Sequence, residues 1–415
     1  MLTAQGGEPV GLEFRVNTYT TSTQNTAMVA SDAVGNFVVA WQSSGHDGSS
    51  DGVFAQRFAS TGAAQGGEFQ VNSFTTSQQR YPSVASDAGG NFVVAWMSFT
   101  QDGSGEGAFA QRFSNTGAAL GGEFRINSYT TSDQRGPVVA SGTAGNFVVA
   151  WHSTNQDGSG EGVFAQRYAS TGAPLGGEFQ VNSYTTNHQS YSRVASDAAG
   201  NFVVVWQSGA QDGSGTGVYA QRYANTGAAL GGEFQVSSYT TNNQGFPGVA
   251  SDSAGNFVVA WQSNVQDGSS YGVFAQRYAS TGAALGGEFR VNSYTTSDQF
   301  SPSVAFDTAG NFVVAWSSNL EDGSSAGVFA QRYDSTGIAL HGEFQVNTYT
   351  TNSQRYPCVA ADSAGNFVVA WQSDTQDASG FGIFAQRFNR ILDHRLFADG
   401  FESGAPGQWS GVVGN

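Results

Sequence analysis

Lysine is absent from this chain. All 16 basic residues are arginine, against 32 acidic ones, and the formal net charge is −16. Such a charge repels phosphate backbones and anionic membranes, which argues against nucleic acid as a partner. Cysteine is almost absent. The one residue, Cys358, rules out an intramolecular disulfide, a metal-thiolate site and a Cys-x-x-Cys redox motif. Its setting between Pro357 and Val359 marks it as a small residue filling a strand position. No apolar run approaches the ~18–20 residues that a bilayer-spanning helix needs, so membrane insertion is not expected. The opening residues, Met1-Leu2-Thr3-Ala4-Gln5-Gly6-Gly7, have neither a charged region nor a hydrophobic stretch and do not read as a signal peptide. Either a leader has been removed, the chain is a fragment, or export takes another route. Catalytic signatures are missing as well. His46, His152, His188, His341 and His394 share no repeat position as a set, and no Gly-x-Ser-x-Gly elbow, His-Glu-x-x-His or phosphate-binding loop occurs. Without one special acid or nucleophile, the chain is expected not to be an enzyme and to need no cofactor.

What is present is a repeat. Gly35-Asn36-Phe37-Val38-Val39-Ala40-Trp41 returns at 90–96, 145–151, 200–206, 255–261, 310–316 and 365–371, with Val205 in place of the Ala in one copy. The Trp column advances by 55 residues each time without an insertion. A fixed period of this size means one continuous body and not several independent domains. With 39% hydrophobic and 13% aromatic residues there is enough apolar surface for a core.

One unit holds four strand-like runs and no helical periodicity. In the second copy these are Ser83-Val84-Ala85-Ser86, Phe92-Val93-Val94-Ala95-Trp96, Phe109-Ala110-Gln111-Arg112-Phe113 and Glu123-Phe124-Arg125-Ile126-Asn127. Four-stranded units in seven copies predict an all-β fold, a seven-bladed β-propeller, over residues 1–390. Small residues suit the crowded axis, a run apolar on both faces suits a strand sandwiched between blades, and alternation suits the rim. The expected order from axis to rim is therefore the order of the chain. The last copy ends after Ile383-Phe384-Ala385-Gln386-Arg387-Phe388, lacking an outer strand, while residues 13–17 supply a spare one. Pairing of 13–17 with 383–388 would close the ring and remove a sheet edge; an open solenoid is the rival. Residues 391–415 lie outside the repeat, and their Phe397, Phe401 and Trp409 suggest either a disordered end or a docking or processing peptide.

The unit Trp151-His152-Ser153-Thr154-Asn155-Gln156-Asp157-Gly158-Ser159-Gly160, continuing to Phe164-Ala165-Gln166-Arg167-Tyr168 and Gly177-Glu178-Phe179-Gln180-Val181-Asn182, resembles repeats of large secreted bacterial proteins. Those arrays occur in surface and haemolysin-type exoproteins. The resemblance spans residues 11–390 and implies a propeller in an extracellular or cell-surface setting, with no settled activity to carry over. The Gly-Gly-x-Gly-x-Asp calcium nonapeptide of the haemolysin type is absent, so calcium does not follow from it. The segment Phe397-Ala398-Asp399-Gly400-Phe401-Glu402-Ser403-Gly404 resembles short C-terminal segments of secreted gammaproteobacterial proteins.

Comparison of the seven copies separates monotonous turns from two varied segments. One follows the Trp, as in Ser44-Gly45-His46 and Phe99-Thr100-Gln101. The other leads into the small strand: Asn25-Thr26-Ala27, Arg80-Tyr81-Pro82, Arg135-Gly136-Pro137, Ser190-Tyr191-Ser192, Gly245-Phe246-Pro247, Phe300-Ser301-Pro302 and Arg355-Tyr356-Pro357. Both fall at one end of the strands and so share one face, where binding residues on a rigid scaffold usually sit. The candidate ligand-binding residues are Arg80, Tyr81, Tyr191, Phe246, Phe300, Arg355 and Tyr356. Aromatic rings beside arginine suit a sugar or a peptide side chain; neutral drift in loops without packing duty is the alternative.

Three other patterns carry a chemical reading. Asp102 with Glu106, Asp157 with Glu161, and Asp47 with Asp51 place carboxylates four residues apart and are weak calcium candidates. The second position is Thr216, Tyr271, Ala326 or Phe381 elsewhere, so a turn in which the Asp bonds its own backbone is the better reading. Arg57 and Glu68 recur in every unit and suggest a cross-strand ion pair or an arginine array lining a ligand site. Asp32, Asp87, Asp197, Asp252, Asp307 and Asp362 precede the Ala-Gly-Asn turn as turn formers. Together these features predict a non-enzymatic extracellular module that recognises glycan or protein on its varied face. The alternative is a structural, self-associating surface protein attached through its tail.

Overall fold

The computed structural model describes residues 8–390; the tail at 391–415 lies outside the described residues. Those residues form 28 strands in seven four-stranded antiparallel sheets. Blades 1 to 6 run 24–70, 79–125, 134–180, 189–235, 244–290 and 299–345, and blade 7 joins 354–388 to Phe14–Arg15. Within each blade the strands follow chain order from axis to rim, and the first strands of neighbouring blades touch around the axis. The expected propeller and strand order are what is found.

The core is seven interblade layers. In blade 1 the pleat sends Val39 and Trp41 toward blade 7, where they meet Val368 and Ala370, while Val38 and Ala40 face Val94 and Trp96 of blade 2. The seven Trp side chains of the repeat are fully buried. The near-constant Phe-Val-Val-Ala-Trp run follows from this: each strand is covered on both faces, and the small Ala40 column leaves room for the neighbouring indole.

The ring closes through the N-terminal segment. Phe14 pairs with Ala385 and Arg15 with Phe384, and the Val16 and Val10 amides donate to the Ile383 and Arg387 carbonyls at 2.8 Å. The rim strands are shorter than the five-residue alternation predicts. In most blades only two residues pair, as in Phe124–Arg125, because Asn127 turns inward and its side-chain oxygen accepts the Ala108 amide at 2.8 Å.

The recurring Arg57 and Glu68 do not pair with each other, which corrects the expected ion pair. Their side chains leave opposite faces of the blade. Arg57 reaches forward to the Asn115 carbonyl of blade 2 and across to the Gln65 carbonyl at 2.9 Å. Glu68 reaches back to blade 7, accepting the Thr18 amide at 2.6 Å and its hydroxyl at 3.0 Å. The backward bond recurs around the ring and ends with Glu13 on Thr348. The arginines thus serve as blade-to-blade ties, and their guanidiniums are occupied by carbonyls of the next turn.

The Asp residues before the Ala-Gly-Asn turn act as expected: Asp32 Oδ1 accepts the Val34 and Asn36 amides, and Oδ2 accepts the Asn36 side-chain amide. These turns surround the axial mouth on the invariant side.

Candidate functional site

The two varied segments meet at the other mouth. Gln24 pairs with Ser43 in blade 1, so the entry to the first strand and the exit of the second lie side by side. The segment before the small run is not a loop. The first strand already begins at its start, as in Gln79–Ser86, and carries a bulge between Arg80 and Ser83. Every blade has this irregularity.

The bulge sets a left-handed residue on each blade. Its φ is 55° at Thr26, 52° at Tyr81, 55° at Gly136, 52° at Tyr191, 51° at Phe246, 53° at Ser301 and 56° at Tyr356. A residue with a Cβ pays strain there, and bulky side chains pay most. Four of the seven are aromatic, with exposures of 50% at Tyr81, 45% at Tyr191, 41% at Phe246 and 45% at Tyr356. A residue that sequence reading passed over holds this turn in place. The side chain following the Trp of the preceding blade accepts the bulge amide: Gln207 takes Phe246 at 3.3 Å, Gln262 takes Ser301 at 3.1 Å, and Ser317 takes Tyr356 at 2.9 Å. Its trace in the sequence is a column that reads Gln, Met, His or Ser beside an invariant Trp.

The seven candidate residues form three groups around the mouth. Tyr191 and Phe246 of blades 4 and 5 pack with ring centroids 4.4 Å apart. Phe300 and Tyr356 of blades 6 and 7 meet edge to face at 6.0 Å, and the Arg355 guanidinium lies over Tyr356 at 5.4 Å and Phe381 at 4.8 Å. Arg80 and Tyr81 of blade 2 stand apart. Arg80 is engaged by Asp51 of blade 1, Nε to Oδ2 at 2.7 Å, whereas Ala326 takes the place of Asp51 beside Arg355, whose buried Nε has no acceptor among the described residues. Arg355 is therefore the freer cation of the two.

The paired carboxylates are divided between separate tasks. Asp102 Oδ2 accepts from the Asn127 side chain at 3.1 Å, and Glu106 binds Arg135 of the next blade. Asp157 accepts the Ser159 amide at 3.2 Å and the Asn182 side chain at 3.4 Å, while Glu161 faces His188 at 3.6 Å. Asp47 likewise accepts the Ser49 amide at 3.0 Å. The Asp of each pair makes its turn and the second acid serves a neighbouring blade. Among the described residues no group of three or more His, Cys, Asp or Glu is placed to hold a metal ion.

Two broken repeats stand out on this face. Where five blades carry Gln101, Gln156, Gln211, Gln266 or Gln376 donating to the rim glutamate, and blade 1 has His46 beside Glu68 at 3.3 Å, blade 6 has Glu321 against Glu343. Burial, and then a hydrogen bond with the neighbouring carboxylate, push Glu321 up to about 9, so it holds a proton at neutral pH. Blade 3 has His152 after the Trp, driven down to about 4 by burial and by the charges of Arg135 and Arg193, and so neutral.

No family model matches the chain, and no curated protein is similar to it. Solved structures are similar in fold. A protein of unknown function from Dyadobacter fermentans superposes with a TM-score of 0.56 at 10% identity, over 93% of this chain and 100% of that one. The NanB sialidase of Streptococcus pneumoniae gives 0.50 at 7% identity, over 92% of this chain and 71% of that one. A phage phi92 endosialidase gives 0.50 at 7% identity, over 96% and 71%. At these identities the likeness is one of fold. It still corrects the expectation that the protein is not an enzyme. That expectation rested on the regularity of the repeat and on the lack of a special acid. Propellers of this shape include glycan-processing enzymes, and Glu321 is a special acid that the sequence comparison missed, because Glu in a Gln column looks like drift until its partner is known.

Proposed function

We propose that the varied face binds a glycan, with Tyr81, Tyr191, Phe246 and Tyr356 as stacking platforms and Phe300 and Arg355 as flanking contacts. The observation that carries this reading is the strained backbone under exposed aromatic rings. Drift would replace an aromatic at φ near +50° with glycine, as at Gly136, or with a small residue, as at Thr26 and Ser301. Retention of four bulky rings in the least tolerant position of the blade points to selection for what the rings contact. Flat apolar faces beside a guanidinium suit pyranose rings and their hydroxyls. The similar placement on adjacent blades suits a multivalent or extended saccharide. An extracellular or cell-surface setting belongs to the same proposal, supported by the acidic, lysine-free composition.

The test is a glycan array followed by calorimetric titration of each hit. Tyr81→Ala and Tyr356→Ala are expected to weaken binding at least about tenfold, a loss of one stacking contact. An array without hits for a correctly folded ring would refute the proposal.

A further inference from the structure

The innermost strand carries an arginine at the same place in blades 2, 3 and 7: Arg80, Arg135 and Arg355. The repeat makes them a controlled comparison, because the same strand pairing surrounds each one. Three positions supply acids to that place. Around Arg135 all three are filled: Glu106 of the preceding blade, 29 residues earlier, is joined to it; Asp133, two residues earlier, lies at 2.6 Å; and Glu161 of its own blade lies at 3.8 Å. Arg80 is neutralised by Asp51 at 2.7 Å. The corresponding three positions around Arg355 hold Ala326, Ser353 and Phe381. None carries a charge, and among the described residues Arg355 makes no ion pair.

Arg355 is nevertheless held in place. Its guanidinium lies over the Phe381 ring at 4.8 Å and over the Tyr356 ring at 5.4 Å. Its Nε is buried without an acceptor, while the residue as a whole is only half-buried. Stacking grips a guanidinium by its faces and leaves its N–H groups directed outward in the plane. A cation ordered in this way has already lost much of its rotamer freedom before a ligand arrives, which favours binding. The planar fork matches a carboxylate or a sulfate in shape and charge.

We infer that Arg355 binds an oxyanion, a carboxylate or a sulfate ester, carried by a saccharide whose ring packs on Tyr356. This rests on the glycan reading of the same face and adds the ligand class, an acidic sugar. Tyr356 is 45% exposed and touches Arg355, so platform and charge are held at fixed spacing. Arg80 and Arg135 cannot take the same role, because acids of this chain already occupy them. The excess of acidic residues elsewhere in the chain works against densely charged polyanions and favours a sugar with separated acidic groups.

The test places the full chain on an array that carries acidic sugars beside neutral counterparts: sialyllactose and sulfated lactose beside lactose, and trigalacturonate beside galactotriose. Each hit is then titrated by calorimetry. At least one acidic sugar is expected to bind about tenfold tighter than its counterpart or more, and its identity tells carboxylate from sulfate. Ala326→Glu gives Arg355 the counter-ion that Glu106 gives Arg135. This variant is expected to bring the ratio of affinities close to one, with the neutral sugar bound as before and the Tm no lower than the parent's. Arg355→Gln should bring the ratio down likewise. Hits on neutral sugars alone, equal affinities within every pair, or an advantage that survives either substitution would overturn the oxyanion site and leave the glycan reading standing. Absence of any hit for a folded ring would overturn both.

Discussion

Ser237 stands where six other blades place an asparagine whose side-chain amide donates to a buried glutamine. Asn72 reaches Gln79 at 3.3 Å and Asn292 reaches Gln299 at 3.1 Å, and the bond recurs at Gln24, Gln134, Gln189 and Gln354. In blade 5 the serine is too short, and Gln244 Oε1 is buried without a donor. Ser237→Asn should stabilise the protein by about 1 kcal/mol, the usual net worth of a restored buried hydrogen bond. Scanning calorimetry should show a higher Tm. Ser237→Ala should lower it, because the serine hydroxyl accepts the Val218 amide at 3.2 Å. An unchanged Tm for the asparagine variant would mean that the orphaned oxygen costs nothing.

Glu321 makes stability fall as pH rises. Its folded value of about 9 lies above the ordinary carboxyl value of 4.5. Between those limits the folded state keeps a proton that the unfolded chain releases, so each step upward in pH favours unfolding. Glu321→Gln copies five of the other blades and removes the titrating group. The variant and parent should melt together near pH 4.5 and diverge toward pH 9. Partial exposure of the site limits the gain to on the order of 1 kcal/mol. Parallel Tm curves across that range would exclude a proton held at Glu321.

The left-handed aromatics should be dispensable for folding. Tyr81→Gly and Phe246→Gly relieve a strained φ at the cost of a more flexible unfolded chain. The two effects nearly cancel, so the stability should stay within about 1 kcal/mol of the parent or rise, while binding to any glycan hit weakens at least about tenfold. A large drop in Tm would assign these rings to packing instead.

Removing residues 1–18 should open the ring. The deletion takes away the Phe14–Arg15 strand, the Val10 and Val16 hydrogen bonds and the Glu13 tie to Thr348. It also exposes the edge of the Phe381–Phe388 strand. A lower Tm or the appearance of oligomers in size-exclusion chromatography is expected. A monomer of unchanged Tm would show that the clasp adds nothing.

Contacts made within one blade were legible in the sequence. The 55-residue register, the seven blades, the order of strands from axis to rim and the closure at 13–17 all follow from hydrophobic pattern and strand count. Strand pairing joins residues at fixed offsets, and the period of two says which face is buried. Contacts between blades were not legible. Arg57 and Glu68 stand near each other on a drawn hairpin, yet the pleat sends them to opposite neighbours. Arg80 meets Asp51 and Arg135 meets Glu106 only because two blades pack together; the matching of arginine with the acid 29 residues earlier was the available trace. The bulge decided the rest. An extra residue at Tyr81 or Tyr191 changes which face every following side chain presents, and no residue pattern announces it, since tyrosine, phenylalanine, threonine, serine and glycine all occupy the place. The sequence by itself determined the ring. The tertiary structure decided that its aromatic residues crown one mouth on strained backbone, because the bulge that sets them there is a feature of strand pairing and not of any residue pattern.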